Sequence, residues 1–266
     1  MNALKDIKCF LLDMDGTFYL GNNIIEGSLS FIDKVKATGR DFLFLTNNSS
    51  HNAQFYVKRL AGMGLNVTRD KILTSGEATA RILKRDYPGK RAFVLGNEFL
   101  ISDMEEAGIT VDNQNPDIVV IGYDTTLDYR KMTAVCDFVR AGLPYIATHP
   151  DYNCPTETGF APDIGAIMAF IEASAGRRPE LIVGKPYSGI VEAALERTGY
   201  ALGEMAMVGD RLYTDIATGN KNGMVSILVM SGETTRKMLD ESDIRPTLTF
   251  DRLSSMNELL SEVPHE

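Results

Sequence analysis

Short apolar runs that alternate with longer amphipathic stretches are the feature of this sequence that most constrains its fold. Most of the runs are unbroken apolar blocks, which is typical of parallel strands that helices cover on both faces. The stretches between them have the apolar spacing of helices, and several end at a glycine. The sequence therefore predicts an α/β protein with a parallel-sheet core. The predicted strands are 9–12, 42–46, 91–95, 118–122, 145–147, 181–183, 205–208 and 226–229, and the predicted helices are 28–37, 53–63, 77–85, 129–141, 164–174 and 189–198.

Polar residues follow four of the predicted strands, at the point where each strand ends. They are Asp13, Asp15, Thr46, Asn47, Lys185 and Asp210. In open α/β sheets, ligands bind beyond the carboxyl ends of the strands. If the four strands are neighbours, these side chains therefore form a single site.

A long stretch between the second and third of these strands has a βαβ pattern of its own. It is long enough to form a domain. We therefore expect a core domain made of residues 1–79 and 181–266, interrupted by an inserted α/β domain over residues 80–180.

Asp13 and Asp15 stand two residues apart directly after an apolar strand. Because side chains alternate along an extended backbone, both carboxylates project to the same side. They repel each other, and one takes up a proton unless a cation neutralises the pair. Mg²⁺ prefers oxygen ligands of this kind, and Gly16 allows a tight turn next to them. On the sequence alone, an ordinary Asx turn at the end of a strand is an equally good interpretation.

Composition excludes several classes of function. The formal net charge of −9 disfavours binding to nucleic acid, and it means that an anionic substrate needs local cations. Three widely spaced cysteines indicate reduced thiols rather than a disulfide framework. Neither a signal peptide nor a membrane span is recognisable. We expect a cytoplasmic protein.

Taken in order, the strand-end residues resemble the four motifs of the haloacid dehalogenase-like (HAD) phosphatases. The resemblance covers nearly the whole chain, and local phrases place it near the NagD-type and nitrophenylphosphatase-like members. The matching segments are Asp13-Met14-Asp15-Gly16-Thr17, Tyr19-Leu20-Gly21, Leu45-Thr46-Asn47-Asn48-Ser49, Pro155-Thr156-Glu157, Val183-Gly184-Lys185-Pro186, and Gly209-Asp210 with Asp215. The resemblance implies a Rossmann-like three-layer core with an inserted α/β cap.

The resemblance also implies a role for each residue in an Mg²⁺-dependent reaction. Asp13 is then the nucleophile and Asp15 the general acid and base. Phosphate is bound by Thr46, Asn47 and Lys185. The metal ligands are Asp13, the backbone carbonyl of Asp15, and Asp210. Asp215 either orients Lys185 or a metal-bound water, or is only a helix N-cap.

The substrate implied by the resemblance is a small phosphate ester, such as a sugar phosphate or a nucleotide. His149 stands in a predicted cap loop where many relatives carry Asn, so we consider it as a substrate contact. Cap-mediated homodimers occur in this branch. The resemblance therefore implies a homodimer through the cap as one option for assembly, and nothing in these residues establishes it.

Four alternatives remain to be weighed. A dehalogenase does not need an acid at position 15, and the composition lacks the membrane segments of a P-type ATPase. A phosphotransferase or mutase usually carries a helical cap between the first two motifs, where this chain has little room. A binding or regulatory protein without turnover is expected to lose one of Asp13, Asp15, Lys185 or Asp210, and all four are present.

Overall fold

A computed structural model describes residues 2–156 and 159–262 of the chain. Two compact units make up this part of the molecule. The core unit runs to Leu45, resumes over Tyr56–Leu73 and continues from Lys185 onwards. The inserted unit consists of Thr46–Phe55 and Thr74–Gly184.

Fourteen strands and ten α-helices are present in the described residues. The strands are β1 (Cys9–Leu12), β2 (Tyr19–Leu20), β3 (Asn23–Ile24), β4 (Asp41–Thr46), β5 (Ile72–Thr74), β6 (Ala92–Leu95), β7 (Ile118–Ile121), β8 (Tyr145–Ala147), β9 (Asn153–Thr156), β10 (Gly159–Pro162), β11 (Leu181–Ile182), β12 (Met205–Gly209), β13 (Val225–Val229) and β14 (Leu248–Phe250). The helices are α1 (Ser28–Ala37), α2 (Ala53–Gly62), α3 (Ser75–Asp86), α4 (Glu98–Glu106), α5 (Tyr129–Arg140), α6 (Ile164–Ala175), α7 (Ser188–Thr198), α8 (Ala217–Asn222), α9 (Arg236–Glu241) and α10 (Asn257–Glu262).

A six-stranded sheet forms the core unit, in the order β14-β13-β12-β1-β4-β5. The central strand β1 pairs in parallel with β12 on one side and with β4 on the other, with Leu12 opposite both Val208 and Phe44. Every residue of β1 and of β12 is buried, as expected for strands covered on both faces. Because β1, β4 and β12 run in the same direction, Asp13, Thr46 and Asp210 all lie at the carboxyl edge of this sheet.

A second parallel sheet forms the inserted unit, in the order β11-β8-β7-β6. Apolar side chains of β6, β7 and β8 pack with those of α5 and α6 into one cluster, which includes the fully buried Tyr145. A separate antiparallel hairpin, β9–β10, precedes α6.

The strands and helices predicted from the sequence agree with the structure, whereas the pairing of short strands was not predicted. All eight predicted strands and all six predicted helices exist, with ends that differ by two residues or fewer. The condition that all four strands are neighbours does not hold for the strand before Lys185, because β11 pairs with β8 in the inserted unit. The predicted domain limits stay a prediction, and the compact units differ from them at residues 46–55, 74–79 and 181–184.

No helix in the described ranges 2–156 and 159–262 combines the length and the apolar character that a membrane crossing requires. None of the three cysteines, all of which lie in the described residues, forms a disulfide.

Candidate active site

Lys185 binds two carboxylates of the core unit at once. Its Nζ lies 2.5 Å from Asp13 Oδ1 and 2.6 Å from Asp215 Oδ1. The side chain of Lys185 is only 3% exposed, and those of Asp13 and Asp215 are 14% and 1% exposed. Asp13 is fixed directly after β1 by its backbone N–H, which donates to Val208 O at 2.9 Å. The arrangement is a carboxylate–ammonium–carboxylate bridge that is largely withdrawn from water.

Opposing effects set the protonation of these groups. Burial raises the pKa of Asp13 to about 6, although the Lys185 charge acts in the other direction. Burial alone would lower the pKa of Lys185, but the Asp13 and Asp215 carboxylates raise it above its ordinary value. Lys185 therefore stays cationic, and its charge favours the ionised form of Asp13.

Asp215 serves this bridge rather than the end of a helix. It lies in a single π-helical turn, Leu212–Ile216, that follows β12. Its second carboxylate oxygen accepts a hydrogen bond from the backbone N–H of Arg211 at 3.0 Å. The N-cap residue of α8 is Ile216, so the N-cap interpretation of Asp215 does not apply to that helix.

Asp210 is held at the end of β12 by three groups. The backbone N–H of Glu233 donates to Oδ2 at 2.6 Å, and the Thr17 hydroxyl donates to Oδ1 at 3.4 Å. The Thr234 hydroxyl donates to the Asp210 backbone carbonyl at 2.5 Å. Burial, followed by repulsion from Asp13 and Asp215, raises the pKa of Asp210 to about 8. The site thus holds more anionic charge than its own cations neutralise.

Glycines keep the space around Asp210 open. A Cβ at Gly16 or at Gly232 would strike the Asp210 carboxylate. Gly16 also has φ +83°, a conformation that other residues rarely adopt.

The donor set fits a divalent cation. Carboxylate oxygens of Asp13, Asp210 and Asp215 lie within 4.8 Å of one another. Both carboxylate oxygens of Asp215 accept hydrogen bonds, one from Lys185 and one from the Arg211 backbone N–H, so Asp13 and Asp210 are the better candidates to ligate an ion. The carboxyl groups of Asp13 and Asp210 lie close together and have raised pKa values, and glycines leave space beside Asp210. These features suit a small hard cation.

Two arginines accompany Asp15, and the sequence analysis did not identify either. Partial burial raises the pKa of Asp15, and the charges of Arg59 and Arg211 lower it in part. Arg59 donates to the backbone carbonyl of Gly21 at 2.6 Å and stacks over the Tyr19 ring at 4.7 Å. Arg211 forms a salt bridge of 2.9 Å with Glu233. No spacing in the sequence marks these arginines, because folding alone brings them to Asp15.

Thr46 and Asn47 belong to the inserted unit. The Thr46 hydroxyl accepts a hydrogen bond from the backbone N–H of Asn48 at 3.1 Å. The side-chain amide of Asn47 donates to both carboxylate oxygens of Asp151, at 3.3 and 3.2 Å. Their role in phosphate binding stays a prediction.

His149 is fully buried in the inserted unit, at 0% exposure. Its Nε2 lies 3.1 Å from Asp163 Oδ1, and its Nδ1 lies 3.1 Å from Thr148 Oγ1. The predicted contact of His149 with substrate stays a prediction, and the ring lies among protein groups. Glu157, part of the segment 155–157 quoted above, lies outside the described residues.

Comparison with protein families gives two matches. A family model described as haloacid dehalogenase-like hydrolase matches residues 10–110, and a related HAD-like hydrolase model matches residues 182–256. An acid sugar phosphatase of Staphylococcus aureus is 36% identical over 261 residues, which are 98% of this chain and 99% of that protein.

Solved structures of the same kind superpose on the chain. A 4-nitrophenylphosphatase from Thermotoga maritima is 46% identical, with a TM-score of 0.94, over 96% of this chain and 98% of its own. NagD from Escherichia coli K-12 is 35% identical, with a TM-score of 0.87, over 93% of this chain and 97% of its own. All three relatives match along nearly their full length.

Proposed function

Because the chain belongs to the haloacid dehalogenase-like hydrolases and is a phosphoric monoester hydrolase of that family, we propose that it is a Mg²⁺-dependent phosphomonoesterase of small phosphorylated metabolites that works through an aspartyl-phosphate. The observation that carries the proposal is the bridge of Lys185 between Asp13 and Asp215. A buried carboxylate with an ammonium beside it stays anionic, and an anionic carboxylate is a nucleophile.

In the first step, a carboxylate oxygen of Asp13 attacks phosphorus. The bond from phosphorus to the ester oxygen breaks, and Asp15 gives its proton to the departing alcohol. The raised pKa of Asp15 favours its protonated form, which this step requires. In the second step, Asp15 takes a proton from water, and that water attacks the phosphorus of the aspartyl-phosphate. Inorganic phosphate leaves, and Asp13 is regenerated.

Electrostatics supply the larger part of the acceleration. General acid catalysis contributes about 10²–10⁴, whereas phosphatases reach up to about 10²¹ over the uncatalysed reaction. Lys185 offsets the charge of Asp13 and of the incoming phosphate. Thr46 and Asn47 are proposed to bind phosphate oxygens, and this role is supported by their position at the carboxyl end of β4.

The proposed ligands of Mg²⁺ are the carboxylates of Asp13 and Asp210 and the backbone carbonyl of Asp15. A bound divalent cation neutralises the carboxylates and polarises a phosphate oxygen. Asp215 keeps Lys185 in place for this arrangement, and Thr17 and the Glu233 amide hold Asp210 toward it.

Sugar phosphates come first among the proposed substrates, since one relative is named acid sugar phosphatase. Nucleotides, pyridoxal phosphate and glycolytic phosphates follow. We also propose a cytoplasmic location, no nucleic-acid partner, and a homodimer formed through the inserted unit. Exposed aromatic side chains on that unit, Tyr152 at 66% and Phe160 at 73%, support the last point.

The deciding experiment is phosphate release from a broad panel of phosphorylated metabolites, with Mg²⁺ or with EDTA. It compares the wild type with Asp13→Asn and with Asp33→Asn, an exposed aspartate of α1 in the core unit. We expect Mg²⁺-dependent release by the wild type and by Asp33→Asn, and none by Asp13→Asn. Release that survives Asp13→Asn would refute the assignment of Asp13 as the nucleophile. Activity in EDTA would refute the requirement for a metal ion.

A further inference from the structure

The inserted unit contains a buried polar network that ends on loop 46–50, a segment that begins at the last residue of β4. We propose that the His149–Asp163 pair is a positioning device for this loop and acts on phosphate binding without touching the substrate. This inference rests on the proposed role of Thr46 and Asn47 in phosphate binding.

The pair itself is rigidly placed. His149 is 0% exposed and Asp163 is 4% exposed. A carboxylate offers only acceptors, so Nε2 of His149 carries hydrogen and donates to Asp163 Oδ1 at 3.1 Å. The same oxygen of Asp163 accepts from the backbone N–H of Ile164 at 2.7 Å, because Asp163 is the N-cap of α6. The imidazole is thus anchored to the start of a helix.

The opposite edge of the ring meets two hydroxyl groups. Nδ1 of His149 lies 3.1 Å from Thr148 Oγ1 and 3.5 Å from Ser75 Oγ. The Thr148 hydroxyl donates to Ser49 Oγ at 3.0 Å, and the Ser75 hydroxyl donates to the backbone carbonyl of Asn47. Each hydroxyl that borders the ring therefore also holds a residue of loop 46–50.

Close packing removes the room in which the loop could shift. A Cβ at Gly184 would lie 2.6 Å from Asn47 Oδ1 and 2.7 Å from His149 Cβ. On another side, Asp151 accepts both hydrogen bonds of the Asn47 amide described above. Asn47 is consequently fixed through its backbone by Ser75 and through its side chain by Asp151.

This geometry separates positioning from direct contact. A fully buried ring with protein partners at both nitrogens acts on ligands only through the loop. Loss of the ring must therefore weaken the binding of every phosphate ligand by the same factor, whatever the leaving group. A residue that touches the leaving group would instead change the ranking of substrates.

The test uses His149→Ala and Asp163→Ser in the full chain. Serine keeps a good N-cap for α6 but is too short to reach the imidazole. The matched control is Asp128→Ser, the same change at the N-cap of α5 in the same unit, where the side chain accepts from the Lys131 backbone N–H and pairs with Arg130. The readouts are the inhibition constant of inorganic phosphate and the KM values of 4-nitrophenyl phosphate and one sugar phosphate. None of these depends on the fraction of enzyme that is folded.

We expect both variants to raise the inhibition constant and both KM values by a common factor of about ten, the usual effect of losing one buried hydrogen bond. Asp128→Ser should stay within about twofold of the wild type. Unchanged constants in Asp163→Ser would overturn the inference, even where His149→Ala fails to fold. A changed KM for one substrate with an unchanged phosphate constant would overturn it in favour of direct contact.

Thr46→Ala separates this inference from the proposed function. If Thr46→Ala leaves the inhibition constant of inorganic phosphate unchanged, loop 46–50 does not bind phosphate. The phosphate-binding role in the proposed function is then refuted. If Thr46→Ala raises the constant but Asp163→Ser does not, the positioning inference alone fails.

Discussion

At the scale of single residues, charge balance decides what the site can do. Lys185 lies between Asp13 and Asp215 with almost no exposure to water, so its ammonium group is the nearest compensation for two carboxylates. Arg211 adds a second cation whose pKa its carboxylate neighbours raise, although burial works against this. Without these side chains, Asp13 would hold a proton and lose its nucleophilic form.

Lys185→Met should therefore abolish most of the activity. Two buried carboxylates then lose the ammonium group between them, and we expect kcat/KM to fall by about 10²–10³, as when one preorganised charge-stabilising group is removed. The control is Lys8→Met, which breaks an exposed ion pair with Glu204. Steady-state kinetics at saturating Mg²⁺ measures both, and equal kcat/KM in the two variants would contradict the role of Lys185.

The raised pKa of Asp210 predicts how stability depends on pH. Its folded value is about 8, against an ordinary value of 3.8, so the folded protein holds a proton that the unfolded chain releases. The stability of the metal-free protein then falls as pH rises through this window. Between pH 6 and 8 the loss is about 2 kcal/mol, or about 4–8 °C in Tm.

Thermal unfolding in EDTA at a series of pH values measures this slope. Asp210→Asn should flatten it, because the amide does not titrate, and Mg²⁺ should reduce it in the wild type by competing with the proton. An identical slope in Asp210→Asn would show that other groups cause the dependence.

The sequence was sufficient to predict Asp13, Asp15, Lys185 and Asp210 as candidates because each directly follows an apolar strand or stands within three residues of one. The arginines near Asp15 have no such marker. Arg59 lies on α2, far along the chain from Asp15, and only tertiary packing places it over Tyr19. His149 was recognised as unusual, but no pattern in the sequence reveals that both of its nitrogens have protein partners.

At the scale of elements, strand ends and turns position the carboxylates. Asp210 extends from β12, but its carboxylate is fixed by the turn after β13, where the Glu233 amide donates to it. Apolar blocks were enough to predict the long strands. The short strands β2, β3 and β14 were not predicted, because two or three residues give no recognisable period, although β8 and β11 of similar length were predicted as apolar blocks. The sheet to which β11 belongs depends on its partner β8, which periodicity does not encode.

Gly232→Ala tests how closely the turn after β13 fits Asp210. The added methyl group would strike the Asp210 carboxylate, so the carboxylate must move. We expect the Mg²⁺ concentration at half-maximal activity to rise about tenfold, equivalent to about 1.4 kcal/mol, while kcat at saturating Mg²⁺ changes less. Gly203→Ala is the control, because its Cβ would meet nothing within 4 Å. Mg²⁺ titrations of activity compare them, and an unchanged half-saturation would exclude this role for Gly232.

At the scale of the whole molecule, the chain builds two compact units whose membership is discontinuous in sequence. The sequence predicts the insertion as one continuous block, residues 80–180, because it carries its own βαβ pattern, and these limits stay a prediction. The assignment of residues 46–55 to the inserted unit was not predictable. It depends on hydrogen bonds such as those from the Tyr123 N–H to Ser49 Oγ and from the Asn97 amide to the Ser50 carbonyl. Such contacts join residues far apart in the chain and leave no local pattern.

Assembly is the property of the whole molecule that remains to be measured. Phe160 on the β9–β10 hairpin is 73% exposed, and burying an aromatic side chain of this size in a contact with a second copy is favourable. We expect light scattering coupled to size-exclusion chromatography to give the mass of a dimer, and Phe160→Ser to shift the equilibrium toward 29.3 kDa monomers. Leu202→Ser removes an exposed apolar side chain from the core unit instead, and the dimer should persist. A wild-type monomer at all concentrations would refute the dimer, and dissociation by Leu202→Ser alone would place the interface on the core unit.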